Sequence, residues 1–257
     1  MEDIEKPSAD IFSTIPKDET ATIIIPLYGF LKEQVVPDLT VEVLNVALFR
    51  LRSFFHKVSF VFVGEKGRVD DKVLNALVNR KIQRDTKGVE VEAHATYAMY
   101  LNEGIRYALE NTTSKYFICA NPWVMFGKDA IDVLLERINR VDVSVCSGFD
   151  LRKDNIPAAD FDSHRYNPAQ EFIGFDINLF GFTRPVAEQL TIDVNYQTKE
   201  YLRFDISQYI HSKAQNVISS QAIPIYSLDI DWSTLEGEDE TNADKARFQE
   251  KWGFIPS

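Results

Sequence analysis

Only two cysteines occur in the 257 residues, Cys119 and Cys146, and each stands inside an apolar run. There is no CxxC pair and no zinc-type spacing, which sets aside a disulfide framework and the common thiolate metal sites. Both are expected to be buried, reduced thiols. Basic residues are scarce too: 28 Lys and Arg stand against 39 Asp and Glu, a net charge of -11, with an isoelectric point near 4.9. They form no cluster, which argues against a nucleic-acid partner. No apolar run approaches the roughly 18–20 residues of a membrane span. The start, Met1-Glu2-Asp3-Ile4-Glu5-Lys6, has neither the basic head nor the apolar core of a secretory leader, so the expected compartment is cytoplasmic. An acidic chain that binds a phosphate-bearing ligand needs local help from backbone donors, a metal or a few cations.

What is present is a hydrophobic content of 45%, enough for one large core. Residues 20–30 carry the strongest signal. Ile23-Ile24-Ile25 is a β-branched run of the kind buried on both faces of a parallel sheet. Pro26 ends it and Gly29 loosens the loop beyond. In open α/β sheets such a loop is where ligands bind. Further strands are predicted at 21–26, 58–63, 89–95, 115–120 and 141–148. Helical faces lie between them: Leu44, Leu48, Leu51 and Phe55; Val69, Val73 and Leu77; Leu101, Ile105 and Ala108; Ile131, Leu134, Leu135 and Ile138. This β-α-β-α order predicts parallel strands with right-handed crossovers.

The rhythm breaks at residue 150. Residues 150–171 read as a long polar loop, with His164 in it, and 172–183 as an aromatic strand or hairpin. A helix is predicted over about 198–213 and a strand over 217–227. In the tail, Glu236 to Asp244 reads as a solvated acidic loop before an amphipathic end with Phe248, Trp252 and Phe254. The expected organisation is an arm over 1–19 and one domain over 20–257.

Several segments, taken in order, resemble one family. Ile23-Ile24-Ile25-Pro26-Leu27-Tyr28, Val61-Phe62-Val63-Gly64-Glu65, Asn102-Glu103-Gly104-Ile105, Asn121-Pro122-Trp123, Phe180-Gly181-Phe182-Thr183-Arg184, Phe204-Asp205-Ile206-Ser207 and Lys251-Trp252-Gly253 are similar to motifs of the inverting, family-2-like glycosyltransferases. The resemblance implies an α/β, GT-A fold: a mainly parallel central sheet flanked by helices, with a smaller mixed or antiparallel acceptor-side portion. It divides the domain into a nucleotide-sugar half (20–149) and an acceptor half (150–257). It implies transfer of sugar from a UDP-, GDP- or TDP-sugar to a saccharide or glycan acceptor, with inversion, and leaves a homo-oligomer open.

The same resemblance assigns residues. Pro26, Tyr28, Glu65, Asn102, Asn121 and Trp123 would bind the nucleotide sugar, with Trp123 offering a flat apolar surface to a sugar ring. Gly181 and Arg184 would line the acceptor. Asp205 would take the hydroxyl proton, with Glu200 in reserve and Arg203 as a cation near the leaving phosphate.

The departures fall on the chemistry. The family's D-x-D acids hold Mn²⁺ or Mg²⁺, and hard oxygen ligands suit such ions. Asn121-Pro122-Trp123 puts tryptophan where an acid is expected, and an indole offers only an N–H donor. The base segment reads Leu202-Arg203 in place of Glu-Asp, and Asp229 and Asp231 stand near the position of an assisting histidine. Either transfer proceeds without a tightly held cation, or the domain binds donor or glycan, or scaffolds a partner, without turnover. A sugar nucleotidyltransferase ranks lower: its phosphate loop is Gly-rich and basic, whereas Leu27-Tyr28-Gly29-Phe30-Leu31-Lys32 has one glycine.

Overall fold

The strand around Ile23-Ile24-Ile25 organises the molecule. β1 (Thr20–Pro26) pairs in parallel with β2 (Lys57–Glu65) on one side and with β4 (Tyr116–Ala120) on the other. With both neighbours present, Ile23, Ile24 and Ile25 are fully buried, which is why the run does not alternate with polar residues. Pairing with β4 ends at Ile24↔Cys119, whereas pairing with β2 continues through Pro26↔Val63. Pro26 therefore stands where its missing N–H disturbs no bond to β4.

These observations come from a computed structural model that describes residues 20–28, 46–53, 57–67, 69, 86–162, 169–213, 216–227 and 237–256. The expected arm over 1–19, most of the helical pattern at 69–77, His164, Asp229 and Asp231 lie outside them. Of the pattern at 44–55, residues 46–50 are described as helical.

Nine strands form one sheet among the described residues, in the order β3-β2-β1-β4-β8-β6-β9-β5, with β7 on β9. β3 (Thr86–Val91) extends the parallel part. The remainder is mixed. β8 (Leu179–Thr183) runs antiparallel between β4 and β6 (Val145–Asp150). β9 (Val217–Ser227) is parallel to β6. The short strands β5 (Val124–Phe126) and β7 (Glu171–Ile173) run antiparallel to β9. Residues 172–183 are thus no hairpin: β7 and β8 take different partners, because the intervening turn at 174–178 carries the chain from β9 to β4.

Helices cover both faces. α1 (Tyr97–Asn111), α3 (Arg184–Gln189), α4 (Lys199–Ser212) and α5 (Glu238–Trp252) contribute to one core layer, which also holds Ile24, Phe117 and Phe180. α2 (Ala130–Ile138) joins the opposite layer with Ile23, Ile25 and Phe126. Cys119 and Cys146 belong to opposite layers. Both are free thiols, and burial pushes both upward in pKa, so neither is a ready nucleophile. The acidic tail is not a loop. Glu238, Asp239 and Glu240 form the first turn of α5, where negative charge suits the helix dipole.

Glycine sets the closest helix–sheet approach. A Cβ on Gly104 of α1 would lie 2.4 Å from Ile24 Cγ2 and 2.9 Å from Val63 Cγ2. Both atoms sit on β-branched strand residues with little freedom to move. Gly104→Ala gains about 1 kcal/mol of helix propensity but meets an overpacking cost of roughly 1–3 kcal/mol. A net loss of about 1 kcal/mol is expected, read as a lower denaturant midpoint at unchanged slope.

Candidate functional site

Strand direction decides where polar groups gather. The carboxyl ends of β1, β2, β4, β6 and β9 share one edge of the sheet with the amino ends of β8 and β5, as the registers Pro26↔Val63, Ala120↔Leu179, Asp150↔Ile225 and Val124↔Ser227 require. Pro26, Leu27 and Tyr28 leave β1 there, Glu65 ends β2, and Asn121 follows β4. Two strand spacings, about 10 Å, separate β2 from β4 across β1, and Glu65 stands two residues further along than Asn121.

A hydrogen-bonded chain of side chains runs along this edge. Asn178, just before β8, is its centre. Its Oδ1 accepts from Asn121 Nδ2 at 2.9 Å and from Lys199 Nζ at 3.1 Å. Its Nδ2 donates to Ser227 Oγ at 3.2 Å, and Ser227 Oγ donates to Asp150 Oδ2 at 2.7 Å. Its backbone N–H donates to Asp176 Oδ1 at 2.9 Å. Burial alone would raise the Asp150 carboxyl, but the Arg152 guanidinium, the Ser227 hydroxyl and the Arg152 N–H outweigh it and hold Asp150 below the ordinary aspartate range. Asn121, Asp150, Asp176, Lys199 and Ser227 are all buried. Polar groups taken out of water this way need partners, and the chain supplies them.

Aromatic rings border the chain. Lys199 Nζ lies 4.7 Å from the centroid of the Tyr97 ring, close enough for cation–π attraction. Tyr28 meets Tyr97 edge-on at 5.7 Å and Tyr100 at 5.5 Å.

Helix α5 fixes the start of α4, and with it Lys199. Asp244 of α5 accepts from the backbone N–H groups of Gln197 and Thr198 at 2.9 and 2.7 Å and from Thr198 Oγ1 at 2.9 Å, all on Oδ2. It acts as a helix cap supplied from another element. Burial pushes its carboxyl upward, partly offset by those same donors.

The residues expected from sequence divide into three groups. Pro26, Tyr28, Glu65 and Asn121 stand on the edge. Asn102 is half-buried on α1. Trp123 is 5% exposed and belongs to the core layer under α2, so its ring is committed to packing instead of facing a sugar. Asn121 Oδ1, the one oxygen its side chain could lend a cation, accepts from the Trp123 N–H at 3.2 Å.

Gly181 and Arg184 are elsewhere. A Cβ on Gly181 would lie 2.2 Å from Leu134 Cδ2, so this glycine admits α2 against the sheet. Arg184 is at the opposite edge, next to Thr183↔Tyr116. Its guanidinium donates to the carbonyls of Ser114, Leu109 and Thr112 at 2.9, 3.1 and 2.6 Å, and so caps the end of α1. Arg203 lies over its neighbour Phe204 at 4.5 Å.

Asp205 is fully buried between α4 and α5. Its carboxylate accepts from Trp252 Nε1 at 2.7 Å, Tyr196 Oη at 3.3 Å and Lys251 Nζ at 2.9 Å. Those donors employ the carboxylate in tying two helices together. Lys199, Asn178, Asp176, Asp150 and Ser227 were not singled out from sequence. The available signal was two polar residues, Asp176 and Asn178, inside the aromatic stretch 172–183.

The position where the sequence resemblance places a cation supplies no carboxylate. Among the described residues no group of three His, Cys, Asp or Glu side chains could hold a metal ion. The position expected to carry acids offers Asn121, already hydrogen-bonded, and a buried indole.

No protein-family model matches the chain, and no curated protein sequence matches it. Solved structures do. The chain is similar to GalNAc-T7, in a crystal structure with UDP, GalNAc and Mn²⁺, with a TM-score of 0.57 and 11% identity over 91% of this chain and 48% of that one. The fold is GT-A. The chain spans about half the length of that glycosyltransferase. Among its described residues no helix is long and apolar enough to cross a membrane.

Proposed function

We propose that this GT-A domain binds a nucleotide sugar across the carboxyl edge of β2, β1 and β4 and transfers the sugar to a saccharide or glycan acceptor, with inversion. The observation that carries this is the buried polar chain Lys199–Asn178–Ser227–Asp150, set beside Tyr28 and Tyr97 at the edge where α/β sheets take ligands. Support comes also from the fold shared with GalNAc-T7, whose crystal structure holds UDP. Inversion rests on the sequence motifs alone.

In this reading Glu65 meets the nucleoside of a UDP-, GDP- or TDP-sugar, Asn102 borders it from α1, and Tyr28, 6% exposed and packed on Tyr97 and Tyr100, backs it from the core and offers only its rim. Asn121 orients Asn178 and does not touch a metal. The hydroxyl-activating carboxylate is Glu200, exposed on the first turn of α4 next to Lys199, and not Asp205, whose donors already occupy it. The acceptor approaches over the segment after β6, not over Gly181 and Arg184.

A second reading, a domain that binds donor without turnover, is favoured by the engagement of Asn121 and Asp205 in structural bonds. A thermal-shift screen with UDP-, GDP-, TDP- and CMP-sugars, followed by transfer assays with and without EDTA, separates the two. A donor at 100 times its Kd stabilises the fold by about 2.7 kcal/mol, a rise of roughly 5–11 °C for a chain of this size. A shift with transfer supports the enzyme, a shift without transfer supports the binder, and no shift with any donor rejects both.

A further inference from the structure

The diphosphate of a nucleotide sugar carries concentrated negative charge into an acidic protein, and something at the edge must offset it. We propose that the Lys199 ammonium does so, in the place beside the end of β4 where an ion-binding carboxylate motif was expected, so that donor binding requires no divalent cation. This rests on the nucleotide-sugar reading above and deepens it.

Four observations converge on Lys199. The first is position. Its Nζ and Asn121 Nδ2 donate to the same atom, Asn178 Oδ1, at 3.1 and 2.9 Å. The ammonium therefore stands beside the first residue after β4. The second is the distribution of charge. Arg152 clasps Asp150 through its backbone N–H, Nε and Nη2 at 3.1, 3.2 and 3.0 Å, while Arg203 and Arg184 lie against Phe204 and the end of α1. Among the described residues, Lys199 is the cation that shares a hydrogen-bond acceptor with Asn121.

The third observation is preorganisation. Lys199 as a whole is 8% exposed and its ammonium lies over Tyr97. The helix that carries it is anchored at its start by Asp244 and in its middle by Asp205, which accepts from Lys251 and Trp252 of α5. The side-chain ordering that usually opposes binding has already occurred on folding. In so shielded a place an ammonium attracts phosphate oxygens far more strongly than in bulk water. The fourth is the position after β4 itself, where Asn121 Oδ1 already accepts from the Trp123 N–H and the indole is buried in the core.

The test is calorimetric titration of the full chain with UDP, GDP, CDP and TDP, each in EDTA and again in Mn²⁺, using wild type, Lys199→Gln and Lys199→Arg. Uridine, which lacks the diphosphate, is the control. The expected result is that wild type binds one nucleoside diphosphate equally well in EDTA and in Mn²⁺. Lys199→Gln should weaken it roughly 10- to 100-fold, the loss of one charged hydrogen bond, and leave uridine unchanged. Lys199→Arg should retain most of the affinity. Two results overturn the proposal while the nucleotide-sugar reading stands: wild-type binding that needs Mn²⁺, or Lys199→Gln that melts like wild type and binds as tightly. The Mn²⁺ comparison needs no variant and stands even if Lys199→Gln fails to fold. If wild type binds none of the four under either condition, the nucleotide-sugar reading itself fails and this inference with it.

Discussion

Asp205→Ala lowers the melting temperature by roughly 6–12 °C. The carboxylate is fully buried, and its removal strands the Tyr196 hydroxyl and Trp252 indole N–H inside the α4–α5 contact and deprives Lys251 of its counter-charge. Lost partners of buried donors cost about 1–3 kcal/mol each, and breaking a buried ion pair costs more. The Lys251 side chain is 35% exposed and can turn to water, which limits the total to about 3 kcal/mol. For a chain of this length each kcal/mol shifts the melt by roughly 2–4 °C. Asp205→Asn, which keeps one acceptor oxygen, should lose less. Calorimetric melts of the two variants check this. An unchanged melt combined with abolished transfer would return Asp205 to the chemistry as a base.

Trp123→Ala is expected to cost still more, about 3–5 kcal/mol, the usual range for truncating a large buried aromatic. The ring shares its layer with Ile25, Leu27, Phe126 and Leu179, and its removal leaves a cavity in that layer. Trp123→Phe restores most of the volume and should recover most of the stability. The measurement is denaturant unfolding of both variants, paired with donor binding well below the midpoint. If Trp123→Ala unfolds like wild type yet loses donor or sugar affinity, the indole faces a ligand and the core assignment is wrong.

The parallel half of the fold was legible because its signal is local. A strand buried on both faces must be a continuous apolar run, and β1 and β4 stand within a residue or so of where such runs predict them. α4 was legible from its helical pattern to the same accuracy. β5 escaped notice because its three residues are framed by Trp123 and Gly127 and gain their identity from pairing with β9, about a hundred residues on. The first half of α5 carries no helical signal, because among the helix's residues only Asp244 and Phe248 are buried, too few for an apolar stripe; its second half falls in the predicted amphipathic end.

The candidate edge is legible in the sequence only where it coincides with strand ends. Tyr28, Glu65 and Asn121, assigned by the family resemblance, also lie just after predicted strands, where the rule that ligands gather at carboxyl ends applies without spatial knowledge. Arg184, Gly181 and Asp205 match a motif by residue type alone, and residue type does not say which edge or face a residue occupies. Lys199 and Asn178 carry no motif. They meet because β8 enters the sheet antiparallel beside β4 and because Asp244 holds the start of α4 in place, and both are long-range facts that no window of sequence contains.

The central claim is a location: a diphosphate-linked ligand at the carboxyl edge, against Asn121, Asn178 and Lys199. The most direct measurement is a crystal structure of the full chain grown with whichever nucleoside diphosphate binds in solution. The account predicts phosphate density within hydrogen-bonding distance of Lys199 Nζ, with the nucleoside extending past Tyr28 toward Glu65. Density confined instead to the groove of about 200 Å³ between Gly127–Ala130, Phe161, Asp162 and Pro224 would contradict it.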